Sequence, residues 1–124
     1  MRVLFLCGHN AGRSIAAEAI ARQIRPDLVV GSAGTTPSLA PNPLVLEALE
    51  SRGIPTRGLF SKGLGDVGGM EDWDLVVTMG CMENACPTIP PGKKNWDWGL
   101  PDPASNPHLL SEILDRIATK VATL

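Results

Sequence analysis

The chain has no excess of positive charge. Eleven Lys and Arg face 13 Asp and Glu, a formal net charge of −2, so no global field draws it to nucleic acid or to an anionic membrane. Long apolar runs are also missing. Val3-Leu4-Phe5-Leu6 is far too short for a signal-peptide core or a membrane span, and polar residues follow at once. Cysteine is scarce and odd in number: Cys7, Cys81 and Cys86. A secreted disulfide framework favours an even count. In a reducing compartment a few thiols point instead to catalysis, redox exchange, metal or plain burial. The expected location is cytoplasmic, and nothing demands more than a monomer.

What is present is ordinary for a folded chain: 124 residues, 44% apolar and 19% charged. That suits one domain, residues 1–124, with core enough to fold unstapled. Collagen-like, coiled-coil and disordered classes are excluded. Residues 3–6 are apolar throughout and read as a fully buried strand. Residues 14 to about 25 read as a helix, with Ile15, Ala19, Ile20 and Ile24 near a 3.6 period and Pro26 as its stop. Leu28-Val29-Val30 is a second buried strand, ended by Gly31-Ser32-Ala33-Gly34. Asn42 caps and Pro43 opens a helix that carries Leu46 and Leu49 inward and ends before Gly53.

Residues 54–69 read as Gly-rich loop with at most a short strand or turn. Residues 73–79 are the third strand. Residues 80–94 are irregular, because Pro87, Pro90 and Pro91 forbid a long helix. Residues 95–98 form a short fourth strand. Asn106-Pro107 starts the last helix, striped by Leu110, Ile113, Leu114, Ile117 and Val121. Strands alternating with helices, the strands apolar on both faces, predict an α/β fold: a small doubly wound parallel four-stranded sheet with helices on both faces. Ligands bind such sheets beyond the carboxyl ends of the strands. Here those places follow Leu6, Met79 and Trp98, and they hold the three cysteines and Asp102.

Cys7-Gly8-His9-Asn10-Ala11-Gly12-Arg13-Ser14 lies between a buried strand and a helix N-terminus. Backbone N–H groups in such a turn make a nest for an anion, and the helix dipole adds positive potential there. Gly8 and Gly12 tolerate the wrapping. Arg13 closes the ring with a bidentate contact to two oxygens of a tetrahedral oxyanion. The same field favours the thiolate of Cys7, and Ser14 can donate a hydrogen bond to it. The bland alternative is a buried Cys ending a strand, with Arg13 on a solvated helix face. His9 reads as a wall of the loop, since an activated thiolate needs no imidazole base.

Asp102 stands between Pro101 and Pro103, which stiffen the loop presenting it. It reads as a general acid for a leaving oxygen, or as a turn aspartate that only caps the next segment. Cys81 and Cys86 have four residues between them, an uncommon spacing for zinc, and no second Cys or His pair completes four ligands. No metal is expected. A loop that brings thiols together permits thiol–disulfide exchange; the alternative is two inert cysteines. Trp73 reads as core or rim packing, while Trp96 and Trp98 either wall the site near Asp102 or are structural.

The chain resembles the low-molecular-weight protein tyrosine phosphatase superfamily and, within it, the thiol-dependent arsenate reductases. The resemblance covers nearly the whole chain. It is carried by residues 7–14, by Glu18, by Ser32-Ala33-Gly34, by Leu75-Val76-Val77-Thr78-Met79, and by Trp98-Gly99-Leu100-Pro101-Asp102-Pro103-Ala104. It implies that Cys7 attacks arsenate held by residues 8–14 and that Asp102 helps expel an oxygen as water. Cys81 then attacks Cys7, releasing arsenite, and Cys86 attacks Cys81. An external thiol reductant such as thioredoxin restores the thiols, and no bound cofactor is implied. Phosphate or sulfate would compete for the loop.

The runner-up is a phosphatase acting on phosphotyrosine or a small phosphomonoester, for which Cys7, Arg13 and Asp102 serve equally well. Family members of that type grip an aromatic ring beside the Asp-Pro pair. This chain has no tyrosine, and Pro103 is followed by Ala104 and Ser105. A second rival is an anion-binding or redox-sensing module without turnover. Two departures from the family stand out. Gly12 occupies a position where many members carry a further Cys. Asn10, Glu18 and Ser32 match a potassium site of some members, but its Asp is replaced by Lys62, whose ammonium would repel a cation. No potassium is expected.

Overall fold

Residues 1–80 and 94–124 are described by the structure, a computed structural model. Cys81, Cys86 and most of the irregular segment expected around them lie outside the described residues. Among those described, the order is β1 (Arg2–Cys7), α1 (Arg13–Ile24), β2 (Val29–Gly34), α2 (Pro43–Ser51), β3 (Leu75–Thr78), β4 (Asn95–Asp97) and α3 (Leu110–Ala122). Turns of 3-10 helix occupy Leu64–Val67, Met70–Asp72 and Pro107–Leu109. The strands form one sheet in the order β2-β1-β3-β4, every pairing parallel. The α/β expectation holds.

The pleat sends alternate residues of each strand to opposite faces. Val3, Phe5 and Cys7 of β1, with Leu75 and Val77 of β3, pack under the three α-helices, where Ala16, Ile20, Val45, Leu49, Ile113 and Ile117 meet them. Leu4, Leu6, Ala33 and Val76 face the other way, onto Met70 and Trp73. Both faces therefore carry helix, α-helix on one and 3-10 turns on the other. Burial on both sides is why these strands read as unbroken apolar runs.

Several boundaries differ from the sequence reading for identifiable reasons. β2 does not end at Gly31 but runs on to Gly34, in register with the whole of β1. A Cβ on Gly31 would sit 2.7 Å from the Trp73 ring, so this glycine marks a close ring crossing and not a stop. Trp73 itself precedes β3, buried, with its indole N–H donated to the Val67 carbonyl. In α2 the buried pair is Val45 and Leu49, while Leu46 is only half-buried. Ile24 is exposed, at the end of a helix buried nearly all round from Arg13 to Ala21. Trp98 packs on Phe5, ring centroids 5.7 Å apart, and Trp96 is exposed on the edge strand.

The last helix begins at Leu110, three residues after the Asn106-Pro107 signal, because a 3-10 turn intervenes. Its C-terminal carbonyls at Val121, Ala122 and Leu124 accept from Arg25 at the end of α1. Cations stabilise a helix at that end. Arg25 also pairs with Asp27, and their hydrogen bond holds the guanidinium above and the carboxyl below their ordinary values. Among the described residues no helix is long and apolar enough to cross a membrane.

Candidate active site

The turn from Cys7 to Arg13 joins the end of β1 to α1. Its carbonyls point outward. Gly8 O accepts from the Thr36 amide at 2.8 Å, His9 O from Ser38 at 2.9 Å and Ala11 O from Asn42 at 2.8 Å. Gly12 O accepts from Ala16. Four carbonyls of the turn, those of Gly8, His9, Ala11 and Gly12, are thus taken within the protein. The N-cap of α1 is Gly12, with no side-chain cap and no acidic residue in the first turn. A buried helix start without such partners is the place where an anion completes the hydrogen bonding.

Cys7 Sγ is buried and lies 2.8 Å from Ser14 Oγ. That hydroxyl also accepts from Asn10 Nδ2 at 2.8 Å. A hydroxyl has one hydrogen and two lone pairs, so with Asn10 donating to one lone pair its hydrogen stays available to the sulfur. Asn10 is held in turn by the Lys62 amide, which donates to Oδ1 at 2.7 Å. It is the one non-glycine residue with positive φ (48°) among those described, a conformation Asn tolerates better than most residues.

Arg13 is buried as well. Its Nη1 donates to the carbonyls of Met79 (3.1 Å), Gly80 (2.9 Å) and Leu100 (2.9 Å). These bonds anchor the guanidinium to the ends of two loops. The Nε and Nη2 groups carry three further N–H donors, enough for a bidentate grip on two oxygens. His9 Nδ1 donates to Thr36 O at 3.0 Å from an exposed ring, as suits a wall residue.

Asp102 meets Cys7 and Arg13 across one cavity of about 400 Å³. The structure shows a turn contact of this aspartate and its place beside the cavity. Its Oδ1 accepts from the Ala104 amide at 3.0 Å, closing a turn, and the residue also lines the cavity. The Asn106 amide and side chain lock its carbonyl. Beside His9 and Asn42 the rest of the wall is small: Ala11, Gly12, Ser38, Ala40, Pro41, Pro43 and Ala104, with no Phe or Trp among the described lining residues. Trp96 and Trp98 are not part of it.

Two glycines decide how tightly these parts close. A Cβ on Gly12 would lie 3.1 Å from Pro103 Cγ, so the loop carrying Asp102 rests directly on the turn after Cys7. Gly12→Ala is expected to push Asp102 back by a few tenths of an ångström and lower kcat by about three- to tenfold, with little change in KM. Steady-state kinetics checks this. Gly34 is tighter still. It pairs with Cys7 and its amide donates to Lys62 O. A Cβ there would lie 2.8 Å from both Asn10 N and Gly8 O, backbone atoms that cannot swing aside. Gly34→Ala is expected to cost about 3 kcal/mol of stability, as overpacking of a tight site does, measured by urea denaturation.

The sequence reading placed Cys7, Arg13, Ser14 and Asp102 together, and the structure brings them together. It missed the carbonyl clamp on Arg13 and the clearance at Gly34, which was read as a turn after the strand. Only the glycine itself, at the end of the strand, signalled that clearance. The described residues contain no group of three His, Cys, Asp or Glu side chains able to hold a metal.

Comparison with known proteins gives a consistent picture. Arsenate reductase 2 of Staphylococcus haemolyticus is 32% identical, over 96% of this chain and 92% of its own length. The crystal structure of arsenate reductase from Archaeoglobus fulgidus superposes with a TM-score of 0.83 at 29% identity, covering 98% of this chain and 96% of that one. The thioredoxin-dependent arsenate reductase of Corynebacterium glutamicum superposes at 0.74 with 37% identity, over 97% of this chain and 57% of that one. The family model for low molecular weight phosphotyrosine protein phosphatase matches residues 2–124. By that full-length match, the chain belongs to the low-molecular-weight phosphotyrosine protein phosphatase family.

Proposed function

We propose that this chain is an arsenate reductase that uses Cys7 as nucleophile and an external thiol reductant to regenerate itself. The observation that carries it is the cavity over Cys7: a buried thiol and a buried guanidinium at a helix start, within a wall of His9, Asn42 and small Ala, Gly, Ser and Pro residues that has no Phe or Trp among those described. Such a site suits a small inorganic tetrahedral anion better than an aryl ester. Relatives named as arsenate reductases, one of them thioredoxin-dependent, support the same reading.

The residues then divide the work. The turn amides of residues 8–14 and Arg13 hold arsenate and spread its charge. Cys7 thiolate attacks arsenic and forms an As–S bond, while Asp102 gives its proton to the departing oxygen, which leaves as water. Cys81 thiolate attacks Cys7 Sγ. The As–S electron pair goes to arsenic, arsenite leaves, and Cys7 and Cys81 are joined as a disulfide. Cys86 attacks Cys81 and frees Cys7, and an external dithiol such as thioredoxin reduces the Cys81–Cys86 disulfide. The chain would act as a cytoplasmic monomer, where thiols stay reduced.

The test couples the purified protein to thioredoxin, its reductase and NADPH, with glutaredoxin and glutathione in parallel. Arsenate-dependent NADPH oxidation in one of the two systems is expected, with phosphate competing. Hydrolysis of a chromogenic phosphate ester with no arsenate-dependent oxidation would make the protein a phosphatase instead.

A further inference from the structure

Beneath the oxyanion turn lies a buried charge cluster that none of the steps above uses. Glu18, one helical turn after Ser14 on α1, is 1% exposed. Its Oε1 accepts from Ser32 Oγ at 2.6 Å and lies 3.3 Å from Lys62 Nζ. Its Oε2 meets Arg22 at 2.9 Å, but Arg22 is half in solvent. Lys62 is 8% exposed. Its ammonium also donates to Phe60 O at 2.8 Å and lies 4.5 Å from the Phe60 ring centroid. The same residue grips the turn by its backbone: the Lys62 amide holds Asn10 Oδ1, and its carbonyl accepts from Gly34. One residue therefore joins a buried carboxylate to the hydrogen-bond chain that ends on Cys7.

A buried carboxylate needs a cation beside it. Left unbalanced one turn from Ser14, its negative charge would oppose both the thiolate and the incoming oxyanion. Of the two cationic partners described for Glu18, only Lys62 is desolvated, and attraction is strongest where water is excluded. We propose that Lys62 is a positioning residue, a tethered cation that neutralises Glu18 under the oxyanion turn and keeps Cys7 reactive with no need of a dissolved one. Such a role rests on the Cys7 turn being the oxyanion site, whatever the oxyanion.

The readout is alkylation of Cys7 by iodoacetamide at neutral pH, followed on its own peptide by mass spectrometry, with and without inorganic phosphate. It needs no arsenate turnover, so phosphate protection of Cys7 in the parent tests the oxyanion site separately from Lys62. The base salt is tetramethylammonium chloride, whose cation is too large to take the place of an amine, exchanged at constant ionic strength for ammonium or potassium chloride. The parent is expected to react at the same rate in all three. Lys62→Ser is expected to react about tenfold more slowly in tetramethylammonium and to recover severalfold in ammonium or potassium. Lys62→Met fills the space and should stay slow in every salt. Lys62→Arg keeps the charge and should stay within about twofold of the parent.

Removing both charges provides the second arm. Glu18→Gln/Lys62→Met is expected to regain most of the reactivity that Lys62→Met loses, a non-additive result that a general loss of stability does not produce. If Lys62→Met does not fold, the double variant answers in its place. A folded and reactive double variant supports the charge pairing, and an unfolded or unreactive one overturns it. Parent-like rates for Lys62→Ser in tetramethylammonium, or slowing that no small cation relieves, would also overturn it.

Discussion

Arg13→Lys is expected to lower kcat/KM for arsenate by about a hundred- to a thousandfold, the scale of losing a charged donor from an oxyanion site, while the fold survives. The guanidinium has two tasks in different directions. Nη1 holds the carbonyls of Met79, Gly80 and Leu100, and the remaining N–H groups are the ones the proposed mechanism gives to the anion. A lysine brings one nitrogen with three hydrogens. It can serve the carbonyls or the anion, but not both. The carbonyls are fixed and close, so the ammonium is expected to settle on them. Thermal unfolding should then shift by only a few degrees, while phosphate no longer protects Cys7 from alkylation. Parent-like phosphate protection in Arg13→Lys would mean that the amides alone hold the anion.

That division of labour was not readable in the sequence, although the turn around it was. Residues 7–14 announce themselves because their signal is local: an apolar run, glycines, an arginine and a helix start, all within a dozen positions. Asp102 was legible for a similar reason, its two prolines. The partners that tune these groups come from far along the chain. Met79, Gly80 and Leu100 are 66 to 87 residues from Arg13, and Lys62 is 52 from Asn10. No periodicity carries such contacts. The β2 boundary failed because Gly31 in isolation resembles a stop. Only the Trp73 ring lying across it shows that the strand continues. In α2 the three-residue spacing of Leu46 and Leu49 was as good on paper as the four-residue spacing of Val45 and Leu49. Packing against the sheet and its neighbouring helices chose the second.

Replacing Cys81 by Ser is expected to separate the two chemistries that the Cys7 turn can perform. Both begin with sulfur attacking a tetrahedral centre, and in the proposed mechanism both use Arg13 and Asp102. They part at the second step. A phosphoryl group on Cys7 leaves by attack of water, which needs no further thiol. An arsenic on Cys7 leaves as arsenite only if another sulfur takes Cys7 and the electron pair of the As–S bond goes to arsenic. Serine at position 81 cannot form that disulfide. Thioredoxin-coupled arsenate reduction should therefore fall by at least about a hundredfold in Cys81→Ser, as when a covalent nucleophile is removed. Hydrolysis of a small chromogenic phosphate ester should remain near the parent rate. Cys7→Ser supplies the contrast, since it removes the nucleophile common to both reactions and should abolish both. Equal loss of both activities in Cys81→Ser, or loss of neither, would remove Cys81 from the relay.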